Sequence, residues 1–293
     1  MKKQVFVFLG LTFLLTWAAV FGLMALDVPY GDPICMVVFS LCMMFPALCS
    51  ILTRLICQQG FDEMYLRPQI KRNWKVYLTA LLSPALLIGA GVVLYFVLFP
   101  FDFDPSMVFL KELLSEQGVP SELAVPLIWG ELAFGALFGG FVNLIPAMGE
   151  ELGWRGYLFP QLCREMSPLK ANLLTGLIWG IWHTPMIAMG HNYGTGYPTA
   201  PWGGILAMTV FSIVLGSLFS YWTMKTGSAW AAGIGHGAVN AMAAAGFYFS
   251  PSAMAGTANP FIGPSAAGIV GGAGLITASL FCMVKIAKYK KQA

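Results

Sequence analysis

The chain is short of charge. Asp, Glu, Lys and Arg make up 10% of its 293 residues, against about 25% in an ordinary soluble domain. Hydrophobic residues reach 58%, and mean hydropathy is +0.73. This excludes a soluble globule, a disordered chain and a nucleic-acid partner. The net charge of +3 is small, so the position of each charge matters more than the sum. None of the six cysteines forms a Cys-x-x-Cys pair, which leaves them as small buried hydrophobes. Cys35, Cys42 and Cys49 repeat every seven residues, as on one packed helix face. The chain also lacks His-Glu-x-x-His and Gly-x-Gly-Asp, so neither the zinc-helix nor the aspartyl class of intramembrane protease fits. No serine or cysteine stands in an evident nucleophile–base arrangement.

Long apolar runs fill the space that charge leaves. Apolar spans are expected at about 4–26, 34–57, 76–99, 126–148, 172–190, 203–224, 229–249 and 266–286, each near the ~20 residues that cross a bilayer as helix. The expected fold is therefore an all-α polytopic bundle of about eight spans. The first span reads as a retained signal anchor, because no small-x-small cleavage site follows it. With both termini cytoplasmic, every Lys and Arg except Lys111 falls inside, from Lys2 and Lys3 through Arg54, Arg67, Arg155 and Arg164 to Lys290 and Lys291. The positive-inside rule favours that orientation. The basic stretch 58–75 is expected on the anionic inner leaflet. Residues 106–117 are expected as a short interfacial helix, and 190–203 and 250–265 as loops. Three GxxxG spacings, Gly135/Gly139, Gly233/Gly237 and Gly268/Gly272, permit close helix contacts. The expected organisation is 1–125 (three spans and an outside loop), 126–249 (core) and 250–293 (last span and basic tail). The expected location is the plasma membrane, multi-pass, with the bilayer as a partner.

Ionisable groups inside a span cost about 2.5–3.5 kcal/mol each on insertion scales and call for a reason. Glu131, near the outer end of span four, reads as solvated or structural. His191, in an outside loop, reads as solvated. Glu150 and Glu151 close span four, with Pro146 as a candidate kink and the helix continuing to near Phe159. Glu151 and Arg155 stand at i, i+4 with the acid first, the favourable order for an ion pair. Glu150 points about 100° away and is free for chemistry; a plain interfacial charge cluster is the alternative. His183 lies ~16 Å into span five, with Trp179 one turn nearer its start. Alone, it could equally be a packed core histidine. His236 and Asn240 share one face of span seven at ~10 and ~16 Å, or serve as a helix–helix contact. All three sets are expected in the cytoplasmic half of the membrane, on helices whose ends meet on that side, and together they point to a site.

Glu150-Glu151-Leu-Gly-Trp-Arg155, Trp179-Gly-Ile-Trp-His183 and His236-Gly-Ala-Val-Asn240 resemble, in order, the EExxxR, FxxxH and HxxxN motifs of the CAAX prenyl endopeptidase and bacteriocin-processing (Abi) family of intramembrane proteases. Trp179 replaces the usual Phe with another large ring. The resemblance covers about residues 126–249. It implies hydrolysis of a peptide bond in a membrane-anchored protein or peptide, of CAAX, bacteriocin or pheromone type. It also implies that Glu150 and His183 activate water and that His236 and Asn240 stabilise the oxyanion. Glu151 and Arg155 would keep the site's shape.

Zinc is the one cofactor such a set suggests. Glu150, His183 and His236 would make a three-ligand site with an open position for water, and Glu151 would then have to act as base. Two other readings stand beside proteolysis: a non-cleaving scaffold or bacteriocin-immunity protein of the same family, and a proton-coupled transporter.

Overall fold

A computed structural model describes residues 3–61 and 63–289. Lys2, Lys290 and Lys291 of the charge census lie outside the described residues. All regular elements among the described residues are helical. They are α1 (Lys3–Ala25), α2 (Pro33–Cys42), α3 (Phe45–Ile56), α4 (Ile70–Leu98), α5 (Val108–Glu116), α6 (Ser121–Val142), α7 (Leu144–Gly153), α8 (Phe159–Cys163), α9 (Pro168–Trp182), α10 (Thr184–Ala188), α11 (Trp202–Thr226), α12 (Trp230–Met242), α13 (Pro251–Met254) and α14 (Ala273–Ala287). A π turn, Trp154–Leu158, joins α7 to α8. Helix starts follow capping chemistry. Asp32 accepts from Ile34 N at 2.8 Å ahead of Pro33, and Ser167 precedes Pro168. Gly227, at φ 65°, ends α11 in the left-handed conformation.

The eight uninterrupted spans need correction. Among the described residues, five stretches are long and apolar enough to cross a membrane: Lys3–Ala25, Pro33–Ile56, Ile70–Leu98, Ser121–Val142 and Trp202–Thr226. Pro33–Ile56 itself breaks at Met43–Met44, ahead of Pro46. The expected span 172–190 breaks at His183, two residues before Pro185. The span 229–249 is helical to Met242 and then turns as a 3-10 segment. The span 266–286 is helical only from Ala273, because Gly263, Pro264, Gly268, Gly271 and Gly272 favour turns before it. Proline explains the interior breaks, since each lacks the N–H that would bond four residues back. Pro146 acts in the same way: the helix breaks at Asn143, three residues before it, with φ −90° and ψ 11°.

These breaks let short helices meet around one centre. α12 packs on α6, α4, α7 and α11; α11 packs on α9 and α14; α3 packs on α7 and α1. A Cβ on Gly139 would lie 2.3 Å from Cβ of Ala241 on α12, and one on Gly233 2.3 Å from Sδ of Met148 on α7. Two of the three GxxxG spacings therefore carry close helix contacts, whereas Gly268 and Gly272 precede their helix. Cys35, Cys42 and Cys49 are all fully buried, as the heptad spacing implies, and none of these three is in a disulfide. α5 occupies most of the stretch expected to form the interfacial helix. Beside it, Asp102 accepts from Tyr95 Oη, from Ser252 N and Oγ, and from Ser250 Oγ. This ties the 100–102 turn to the start of α13.

Candidate active site

Glu150 and Glu151 sit on the last turns of α7, both buried in the bundle. Gly149 and Gly153 bring this helix onto the α2–α3 break. A Cβ on Gly153 would meet Pro46, and one on Gly149 would meet the Met43 carbonyl at 2.6 Å. The two acids point apart, as adjacent helical residues must. Glu150 Oε2 accepts from Trp179 Nε1 at 2.7 Å and from Trp154 Nε1 at 3.3 Å. Its Oε1 makes no hydrogen bond among the described residues. Glu151 Oε1 faces Arg155 Nη1 at 3.0 Å and His236 Nδ1 at 2.9 Å. The i, i+4 ion pair read from the sequence is thus present, although Arg155 lies in the π turn. Such turns recur at functional sites.

Arg155 is fully buried. Its guanidinium lies 4.5 Å from the Trp179 ring centre and 5.3 Å from that of Phe219. Cation–π attraction in this desolvated setting offsets part of the cost of burying the charge.

His183 caps the end of α9 and opens α10. Its Nδ1 stands 2.8 Å from the Trp179 carbonyl. A carbonyl can only accept, so Nδ1 carries the proton, and in the neutral ring Nε2 is the acceptor. Trp182 packs edge-on to His183, with ring centres 4.8 Å apart. Trp182 is itself pinned by Nε1 to Thr16 Oγ1 at 2.9 Å, and its carbonyl accepts from Trp17. His236 is stacked on Phe219 at 5.3 Å.

Glu150, His183, His236 and Asn240 all line one cavity of about 250 Å3. Trp179 also lines it and touches both imidazoles, at 5.7 Å from His183 and 5.5 Å from His236. Glu151 and Arg155 stand behind its wall. Asn192 and residues 265–267 line the same cavity. The basic residues Arg67 and Arg164 line a separate cleft with Pro168.

Glu131 stands apart from this group and accepts from Tyr248 Oη at 2.7 Å. His191 requires a correction. It is not a solvated loop residue: it is half-buried and lines the cavity. The loop folds inward because Tyr30 and Phe39 hold the ring there. Trp154 and Phe219 were also missed by the sequence reading. Trp154 had a signal, four residues after Glu150 and so on its face. Phe219, an aromatic on an apolar helix, had none.

As placed, the donors do not assemble a metal centre. Among the described residues, no group of three His, Cys, Asp or Glu side chains could hold a metal ion. The indoles occupy one carboxylate oxygen of Glu150, and both histidines have Nδ1 engaged, so Glu150 Oε1 and the two Nε2 atoms are the groups left for chemistry.

Residues 131–242 match the family model of the Rce1-like type II CAAX prenyl endopeptidases. The match spans 112 of the 293 residues, so the likeness is one of the chain's core. The matched segment contains all three motifs. The chain is also similar to CAAX prenyl protease 2 of Methanococcus maripaludis, at 45% identity over 53 residues. That stretch is 18% of this chain and 20% of the relative, so the likeness covers about a fifth of the curated protein.

Proposed function

We propose that the chain is an intramembrane endopeptidase that hydrolyses a peptide bond of a membrane-associated protein or peptide. The observation that carries this is the shared cavity. One carboxylate, two imidazoles and one amide meet there, and each imidazole has its Nδ1 tied off. A water between Glu150 Oε1 and His183 Nε2 finds two acceptors for its two hydrogens. Its oxygen attacks the scissile carbonyl carbon as one proton passes to Glu150, in the manner of a general base. The carbonyl oxygen becomes an oxyanion. His236, as the imidazolium whose Nδ1–H is held by the Glu151 carboxylate, donates to it from Nε2, and the Asn240 amide donates beside it, a stabilisation worth about 3–4 kcal/mol per donor in other proteases. Glu150 then returns the proton to the leaving nitrogen as the C–N bond breaks. Glu151 and Arg155 hold His236 in place. No step runs through a metal, in keeping with the donor geometry.

The substrates are of CAAX, bacteriocin or pheromone type, anchored in or on the bilayer. We place the chain in the plasma membrane with both termini inside, from the distribution of Lys and Arg. On that orientation the rim formed by Asn192 and residues 265–267 faces the outer side.

The test uses full-length protein in detergent with a farnesylated, quenched-fluorescent CAAX peptide and a non-prenylated precursor peptide. Wild type should cut one of them, and Glu150→Gln should not. Equal cleavage by Glu150→Gln would overturn the assignment. Cell phenotypes that His183→Ala rescues as well as wild type would instead favour a scaffold or immunity role.

A further inference from the structure

We infer that His191 is a substrate-contacting, specificity-determining residue of this cavity, one that sets binding and takes no part in proton transfer. The inference rests on the endopeptidase reading.

His191 sits in the loop between α10 and α11, outside the three motifs, yet it lines the same cavity as Glu150. It is positioned by residues distant from it in the sequence. Tyr30 Oη, from the α1–α2 connection, is 3.2 Å from its Nδ1. Its ring packs edge-on to Tyr30 at 5.8 Å and to Phe39 at 5.7 Å. The backbone on either side is in the left-handed region, with φ 107° at Gly190 and 63° at Asn192. A non-glycine residue in that region costs stability and persists only where the surroundings over-determine it. Here the result is an imidazole turned toward the interior of the protein.

Its neighbours give the chemistry. The lining near His191 offers Asn192 and Asn240 as neutral hydrogen-bonding groups, with Phe39, Met208 and Phe211 as apolar surface. Glu150 is the lining's sole Asp, Glu, Lys or Arg among the described residues. Burial also holds the His191 imidazole well below its ordinary range, at about 4, so the ring is neutral at physiological pH. Such a rim suits an extended, uncharged peptide: backbone groups bond to the imidazole and amides, and apolar side chains meet the rings and thioethers. Charged side chains next to the scissile bond find no partner there. The cavity's 250 Å3 is at the small end for ligand sites, so only a short stretch of peptide is read.

Two measurements test this on the full-length protein in detergent. The first is cleavage of the farnesylated peptide. His191→Ala should raise KM about 3–10-fold, the loss of one hydrogen bond, with kcat within about twofold. His191→Gln, which keeps a polar group in reach, should recover most of the affinity. A charged residue placed beside the scissile bond should be rejected less by His191→Ala than by wild type. The second is saturable photo-crosslinking of the same peptide to Glu150→Gln protein, with and without His191→Ala, which needs no turnover. Weaker crosslinking with His191→Ala supports the inference. Cleavage with an unchanged KM in His191→Ala, or a fall in kcat alone, overturns it and leaves the protease reading standing. Crosslinking that depends on His191 in a wild type that never cleaves sinks the protease reading instead. Absence of any saturable binding overturns both.

Discussion

Trp179 donates its indole N–H to Glu150 Oε2 at 2.7 Å, and its own carbonyl accepts from His183 Nδ1 at 2.8 Å. One residue therefore orients both groups proposed to hold the attacking water. Trp179→Phe keeps a large ring between the imidazoles and removes the donor to Glu150. We expect kcat to fall about 10–100-fold, the range seen when a residue orienting a functional group is lost, with KM little changed and the protein still folded. Peptide cleavage with gel-filtration controls checks it. Undiminished kcat would mean that Trp154 alone suffices to orient the carboxylate.

Arg155 and Glu151 make an ion pair with both side chains fully buried. Removing one partner strands the other charge, at a cost of about 3–5 kcal/mol. Arg155→Ala should therefore melt well below wild type. Arg155→Met combined with Glu151→Gln removes both charges and should melt higher than Arg155→Ala alone. Both variants should be inactive: the double variant takes the carboxylate anchor from His236, and the single variant leaves that carboxylate without the guanidinium that holds it. Thermal unfolding in detergent gives the order. If the single variant matched wild type, the pair would be solvated in the working protein.

The donor geometry gives an expectation about chelators. With no three-ligand set among the described residues, EDTA or phenanthroline should leave peptide cleavage within about twofold. Metal analysis of the purified protein should find less than one zinc per chain. Loss of activity that zinc restores would show that Glu150, His183 and His236 rearrange into a metal centre, with Glu151 left to act as base.

Much of this site was legible because its signals are local. Glu151 and Arg155 pair at a helical spacing, and a π turn within the motif does not separate them. Glu150, His183, His236 and Asn240 stand out because polar groups are rare in such a chain. What was not legible depends on where the chain bends. Pro146 was read as a candidate kink and the helix breaks ahead of it, but the spans holding Pro46 and Pro185 were read as continuous, and glycine shortens the last. His183 sits at such a break, where its Nδ1 can bond a carbonyl of its own helix. His191 was misread because a loop residue's environment is set by distant partners. Nothing near it in sequence announces Tyr30 or Phe39. Phe219 was invisible for the same reason.

The sidedness of the cavity can be measured. Asn192 is exposed and lines the rim, and the positive-inside arrangement puts its loop outside. In a background with the native cysteines replaced, Asn192→Cys should react with a membrane-impermeant maleimide on intact cells. Cysteine introduced at Arg67 should react only after permeabilisation. The reverse pattern would invert the proposed orientation and open the cavity to the cytoplasm.

His191 also makes a prediction about pH. Burial lowers its pKa from an ordinary 6.5 to about 4. The groups packed on it, the Tyr30 hydroxyl and the Phe39 ring, carry no charge that would favour the imidazolium. Between those two values the unfolded chain binds the proton more readily than the folded one. The contribution to stability is thus fully present above pH 6.5 and is lost as pH falls toward 4. His191→Gln has no proton to take up, so its unfolding midpoint should decline less than that of wild type across the same window. Thermal unfolding of both proteins in detergent at pH 7.5, 6 and 5 measures the two slopes. Parallel slopes would show that the ring is hydrated or already charged in the folded protein, and the neutral rim argued for substrate selection would go with it.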